Sequence, residues 1–250
     1  MKSIKELYVV GRGPSSSHTI GPQKAAMIFK ENHPKATSFQ ATLYGSLAAT
    51  GKGHLTDKAI IETFKPKTID IIWEPETILS THPNAVKFEA FNTVNKLSNS
   101  QIFYSVGGGA LVSDGLIQES PDVYLEKNME EILGSLDSSG KMFWEYVYDN
   151  EGDDIEEFLS SIWKTMKSAV EQGLENERVL PGKLNLSRKA SSFNVKSQNA
   201  SGPIMHRNQI FAYALAVAEE NAAGGSIVTA PTCGSAGVLP AVLYHLVKTY

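Results

Sequence analysis

The residues of this chain best suited to chemistry are His18, His54, a run of hydroxyls and one thiol, and all sit in glycine-rich polar runs. The first run is Gly11-Arg12-Gly13-Pro14-Ser15-Ser16-Ser17-His18-Thr19-Ile20-Gly21-Pro22. It stands just before a pattern of helical period. Free backbone N–H groups at a helix start, with hydroxyls beside them, suit a small carboxylate or phosphate. A serine-rich helix cap is the simpler alternative. The second run, Gly45 to Asp57, joins a strand pattern to a helix pattern and places His54 at the junction. An imidazole there can act as a base, a carboxylate contact or a cap, or have no role. Val106-Gly107-Gly108-Gly109 follows another strand pattern, where glycines allow either close backbone approach to a ligand or a bulge. The third run, Asn221 to Gly237, is dense in small residues and contains Cys233 near a helix start. A thiol so placed is either a low-pKa nucleophile or a small buried residue.

The elements that must position these runs are legible in the apolar spacing. Residues 22–32 read as a helix, with Ala25, Ala26, Ile28 and Phe29 on one stripe. Alternation at Phe39, Ala41 and Leu43 predicts a strand reaching Gly45. Asp57 to Phe64 suits a short helix, and Ile69 to Trp73 a β-branched strand. Two more strands are expected around Val86, Phe88 and Ala90 and around Ile102, Tyr104 and Val106, with a turn at Asn99-Ser100. Then the pattern changes. Ile155, Phe158, Leu159, Ile162, Met166, Ala169 and Val170 follow helical spacing, with Asp154 as cap and Gly173 as stop. A second long helix should run from Pro203 to about Ala222. A third follows Gly237 and is still in register at Tyr250, which reads as a chain cut from a longer protein.

Charge marks the change of pattern. From Glu119 to Glu157 there are thirteen acids and two lysines, a net of −11 in a chain of net −4. Within this zone Asp149-Asn150-Glu151-Gly152-Asp153-Asp154 reads as a turn or linker. The expected fold class is therefore α+β, with a mixed α/β domain over 1–149 and the first helices of an all-α domain over 150–250. The remaining basic excess is too diffuse for nucleic acid. The longest clean apolar run, Ile210 to Ala218, is too short for a membrane span, which needs ~20 residues. The start of the chain shows no apolar signal segment, and one cysteine excludes an internal disulfide. A cytoplasmic location is the expectation.

Taken in order, these motifs resemble one family. Gly13-Pro14-Ser15-Ser16-Ser17-His18-Thr19, Leu43 to Ala48 with Gly51 to His54, and Tyr104 to Gly109 are similar to the β part of bacterial iron–sulfur L-serine dehydratases. Val179-Leu180-Pro181-Gly182-Lys183-Leu184, Glu219 to Gly225 and Ala230-Pro231-Thr232 resemble the α part. The resemblance implies deamination of L-serine to pyruvate and ammonia in a full-length parent, as part of amino-acid catabolism and gluconeogenesis. It implies a [4Fe–4S] cluster on three cysteines, whose open iron acts as a Lewis acid. This chain has Cys233 alone, so it is not expected to hold the cluster or to be active by itself, and Cys233 is not expected to be a ligand. Carried over, Ser15, Ser16, Ser17, Thr19, Asn221 and Thr232 would bind substrate, and His18 and His54 would be catalytic, His54 as base or carboxylate contact. A homodimer is also possible. Two alternatives stay open: a non-catalytic amino-acid-binding regulatory module, and a hydrolase or transferase using Cys233 with a histidine. A pyridoxal-dependent dehydratase lacks a lysine-centred motif here.

Overall fold

The computed structural model describes residues 1–94, 96–113, 121–182 and 184–250. Lys183 of the Val179–Leu184 motif and Glu119 of the acidic zone lie outside them. The fold is α+β, as its two patterns require. After a short 3₁₀ turn, β1 (Val10–Arg12) leads into a single π-helical turn, Ser16–Ile20, and α1 (Gly21–Asn32). There follow β2 (Ser38–Tyr44), α2 (Gly45–Thr50), α3 (Thr56–Phe64), β3 (Thr68–Glu74), β4 (Asn84–Phe91), β5 (Leu97–Gly107) and β6 (Ala110–Ser113).

Strands β2 to β6 form one sheet in the order β3-β2-β4-β5-β6. The β2–β3 pair is parallel because α2 and α3 carry the chain back across the sheet; the β2–β4, β4–β5 and β5–β6 pairs are antiparallel. Period-two alternation sends Phe39, Ala41 and Leu43 of β2 and Val86, Phe88 and Ala90 of β4 into one core with Phe29, Ile60 and Phe64. Its centre is aromatic: Phe39 and Phe64 ring centroids are 4.5 Å apart, and Phe29 and Phe88 are 5.6 Å apart. The turn expected at Asn99-Ser100 is absent. Both residues pair within β5, and the chain reverses just before it, where Asn92 Oδ1 accepts from the amides of Val94 and Lys96.

The rest is helical: α4 (Met129–Ser139), α5 (Phe143–Glu151), α6 (Ile155–Glu175), α7 (Ala190–Gln198), α8 (Gly202–Ala222), the short strand β7 (Ser226–Val228) and α9 (Val238–Thr249). The acidic run at 149–154 is not a free linker. Asp149 to Glu151 form the last turn of α5, and the break comes at Gly152. Glu151 is buried and accepts hydrogen bonds from the Ser3 hydroxyl, the Ile4 amide and the Tyr124 hydroxyl. Asp154 stands at the N-cap position of α6, but its side chain makes no capping hydrogen bond there; its carboxylate takes Lys5 Nζ at 2.6 Å instead. Nor does Gly173 end α6. It is buried against the backbone of Ala216, so α6 and α8 cross where a side chain would not fit.

The first strand joins the helical half. β1 pairs antiparallel with β7, Val10 opposite Val228, and Ile20 packs in the core formed by Ala169, Val170, Tyr213, Val217, Ile227 and Tyr244. This return of the chain start brings the Ser15–Thr19 loop against the end of α8.

Candidate functional site

The loop before α1 is organised by its own hydroxyls. Ser15 has extended backbone, its Oγ accepts from the His18 amide at 3.1 Å, and its carbonyl accepts from the amides of Thr19 and Ile20. The wider π turn that results is a feature often found at functional positions. It leaves the His18 ring held on both nitrogens. Nδ1 lies 2.9 Å from Ser17 Oγ and Nε2 lies 2.9 Å from Ser46 Oγ. Ser46 comes from the start of α2, directly after β2. Spacing gave no reason to choose it from the small residues around it; its place just past a strand end is the only signal that could have done so.

His54 arrives from the loop between α2 and α3. Its ring centroid is 4.7 Å from that of His18, tilted by 38°. Its Nδ1 is 3.1 Å from Thr50 Oγ1. Backbone bonds fix the pair: Thr19 Oγ1 donates to the His54 carbonyl at 2.7 Å, and Thr56 Oγ1 donates to the His18 carbonyl at 2.6 Å. Burial, and then the neighbouring His54, hold the His18 imidazole below its ordinary pKa. His18 is therefore a neutral, doubly hydrogen-bonded ring at pH 7. Among the described residues no hydrogen bond occupies Nε2 of His54, which leaves that nitrogen open for proton transfer.

From the helical half, Asn221 in the last turn of α8 meets the same loop. Its Nδ2 is 3.5 Å from the Pro14 carbonyl, and its buried Oδ1 has no partner among the described residues. The contact depends on Gly13: a Cβ there would lie 2.0 Å from the Asn221 carbonyl oxygen. The Gly13 amide in turn donates to the Gly225 carbonyl at 3.1 Å. Beside this junction Arg12, Gly13, Thr19, Leu55, Lys58 and Glu62 contribute to a cavity of about 170 Å³. Ser16 contributes its carbonyl, which accepts from the Gly21 amide.

Thr232 is not drawn into this cluster by any hydrogen bond. It is exposed in the turn before α9, with its Oγ1 3.2 Å from Ser235 Oγ. Cys233 lies five residues before α9 rather than at its first turn, and is 4% exposed among Ala212, Tyr213, Ala236 and Tyr244. Burial pushes its thiol up to about 11. A buried thiol pushed above its ordinary range, with no imidazole hydrogen-bonded to it among the described residues, argues against the Cys–His nucleophile reading.

The sequence gave Glu219 and Glu220 no role beyond the motif they begin. In fact both are buried. The Glu219 carboxylate accepts from the amides of Lys189 and Ala190, so it caps α7 from outside. Glu220 takes Arg188 Nη1 at 2.5 Å and Asn176 Nδ2 at 3.1 Å. These carboxylates pin both ends of the segment between α6 and α7, and they hold the helix end that presents Asn221.

A [4Fe–4S] cluster needs several thiolates, and this chain offers one, protonated and buried. Among the described residues no three His, Cys, Asp or Glu side chains converge as a metal site. The donors of this chain therefore do not fit the cluster that the motifs imply, and a cluster would need donors from outside these 250 residues.

Comparison with known proteins agrees with the motif order. A family model described as serine dehydratase alpha chain matches residues 35–250. The L-serine dehydratase of Haemophilus influenzae is 32% identical over 303 residues, covering 99% of this chain and 67% of its own. L-serine dehydratase 2 of Escherichia coli is 33% identical, covering 99% and 66% respectively. The L-serine dehydratase of Streptomyces coelicolor is 33% identical, covering 97% and 65%. The chain spans about two thirds of the length of the curated relatives it matches. The Ser15–Thr19 loop precedes the family-model match but falls within the pairwise ones.

Proposed function

The chain belongs to the serine dehydratase alpha chain family, and from that premise we propose that it forms the substrate-binding and proton-handling part of an L-serine dehydratase. The observation that carries this reading is the paired His18 and His54, held by hydroxyls, on a loop whose Pro14 carbonyl meets Asn221 of the helical half. Ser15, Ser16, Ser17, Thr19 and Asn221 bind L-serine, and Thr232 belongs to the same set by its motif. With the chain divided into 1–149 and 150–250, these groups come from two units, and in this reading the substrate lies across their junction, beside the β1–β7 ladder.

His54 is the base in this reading. Its Nε2 takes the α-proton of L-serine, while the Thr50 hydroxyl orients the ring through Nδ1. His18, neutral and fixed by Ser17 and Ser46, is a hydrogen-bonding and positioning group. Loss of the α-proton and of the β-hydroxyl as water gives 2-aminoacrylate. Its imine tautomer then adds water and releases ammonia, leaving pyruvate. The iron–sulfur cofactor belongs to the reading through the family resemblance alone, and no step here runs through it.

Catabolic supply of pyruvate, including to gluconeogenesis, and a cytoplasmic location complete the reading; among the described residues no helix is long and apolar enough to cross a membrane. A homodimer would cover Val242, Leu246 and Val247, which are exposed on α9, and sedimentation at several concentrations tests it.

The test is calorimetric titration of the 250-residue chain with L-serine, with a coupled assay for pyruvate. The chain should bind L-serine, lose that binding in His18→Ala, and form no pyruvate by itself. Absence of binding to the wild-type chain would overturn the reading. The lone buried thiol favours a second reading, an amino-acid-binding regulatory module. L-serine bound but never turned over, even with the donors of a cluster supplied on a second polypeptide, would establish it.

A further inference from the structure

Lys24 lies on α1, one turn after Gly21, in the helix that follows directly from the turn carrying His18. It is half-buried, and it has no hydrogen bond or ion pair among the described residues. The contrast with other lysines is direct: Lys5, Lys87 and Lys141 each meet a carboxylate, and Lys30 and Lys67 donate to backbone carbonyls. Burial alone lowers the Lys24 pKa, with no nearby charge offsetting it. A half-buried ammonium without an anion is an unsatisfied group, and an external anion would satisfy it.

The surroundings point to where that anion sits. Lys24 Nζ is 3.6 Å from the position a Gly109 Cβ would occupy. Gly109 closes the β5–β6 turn, in which Gly107, Gly108 and Gly109 have φ of +113°, +59° and +83°. A backbone of that shape needs glycine, and it carries no side chains to fill the space beside Lys24. Among the described residues nothing lies within 4 Å of the Cβ positions of Gly107 and Gly108. Two residues before Gly107 on β5, Ser105 Oγ is buried against Gly21 and has no partner among the described residues. One face of α1, Gly21 and Lys24, thus meets a strand end where a hydroxyl and an ammonium both lack protein partners.

We propose that Lys24 and the Gly107–Gly109 turn form the subsite that receives the carboxylate of the amino-acid substrate. The proposal rests on the amino-acid reading above. One ammonium matches one negative charge; a phosphate dianion would leave a half-buried charge unmatched. The subsite orients the substrate by one end and leaves its α-carbon to the histidines.

The test uses the intact chain with its lysines dimethylated by ¹³C-formaldehyde, which keeps their charge. The Lys24 signal is identified by its loss in Lys24→Arg, and Lys164, exposed on α6, is the internal control. Acetate and L-serine should each raise the pKa read from the Lys24 signal, L-serine at lower concentration, and L-serinamide should not. Lys24→Met should weaken L-serine binding at least tenfold by calorimetry with the circular dichroism unchanged. A Lys24 signal that ignores saturating L-serine, or answers equally to L-serinamide, would overturn the subsite. If L-serine binds and Lys24→Met binds it as tightly, the subsite fails while the amino-acid reading stands. If acetate moves Lys24 and L-serine does so no better, the carboxylate subsite stands and the serine reading fails.

Discussion

Replacing Glu220 by Gln removes one charge from a buried pair and leaves the other. The side chains of Arg188 and Glu220 are 5% and 8% exposed and meet at 2.5 Å. Among the described residues Arg188 Nε already lacks a partner, so the guanidinium is under-satisfied even before the carboxylate becomes an amide. Breaking a buried pair on one side costs about 3–5 kcal/mol, because the remaining charge stays desolvated. For a chain of this size each kcal/mol lowers Tm by roughly 2–4 °C, so Glu220→Gln should melt roughly 6–20 °C below wild type. Thermal denaturation followed by circular dichroism and by calorimetry reads this directly. The double variant Arg188→Met/Glu220→Leu should recover most of the loss, since apolar residues of similar volume replace a buried pair at little cost. Asn176 Nδ2 loses an acceptor in both variants, which limits the recovery. A single variant within about 2 °C of wild type, or a double variant less stable than the single one, would refute the view that this pair is desolvated and that its two halves depend on each other.

Gly13→Ala should cost about 1–3 kcal/mol, as overpacking does, because the new methyl would overlap the Asn221 carbonyl; a fall in Tm together with weaker L-serine binding checks it. Cys233 should be unreactive to a disulfide reagent at pH 8 in the native chain and react with one equivalent after unfolding, since its thiol titrates at about 11. His18 and His245 both have folded pKa values below their ordinary 6.5, through burial first and a neighbouring histidine second. The unfolded chain therefore takes up their protons first, so stability is lost as pH falls through the unfolded value and regained above it. Tm should fall between about pH 7.5 and 5.5, and His18→Gln should flatten that slope; an unchanged slope would refute the assignment of His18.

Several elements failed to show in the sequence for identifiable reasons. The α2 turn Gly45–Thr50 is too short and too rich in small residues to show a helical period, so Ser46 was hidden with it. Asn99 and Ser100 have turn composition, yet they lie in β5 because the sheet supplies their backbone partners. Asp149 to Glu151 look like solvated linker residues, but Glu151 is held inside by Ser3, Ile4 and Tyr124, three groups about 27 to 148 positions away. Local composition carries no information about such partners.

What the sequence determined by itself is what depends on neighbours along the chain. Period-two alternation marked β2 and β4, helical spacing marked α1, α6 and α8, and the ordered motifs around Ser15–Thr19, His54 and Asn221 marked the family. Tertiary structure decided which groups face one another. It put Ser46 on His18, brought Asn221 to Gly13 from 208 positions away and buried Cys233. The Asn221 contact accompanies the return of β1 onto β7, and the Cys233 burial belongs to the core where α6 and α8 cross. Both are long-range contacts, whose partners are chosen by packing rather than by spacing.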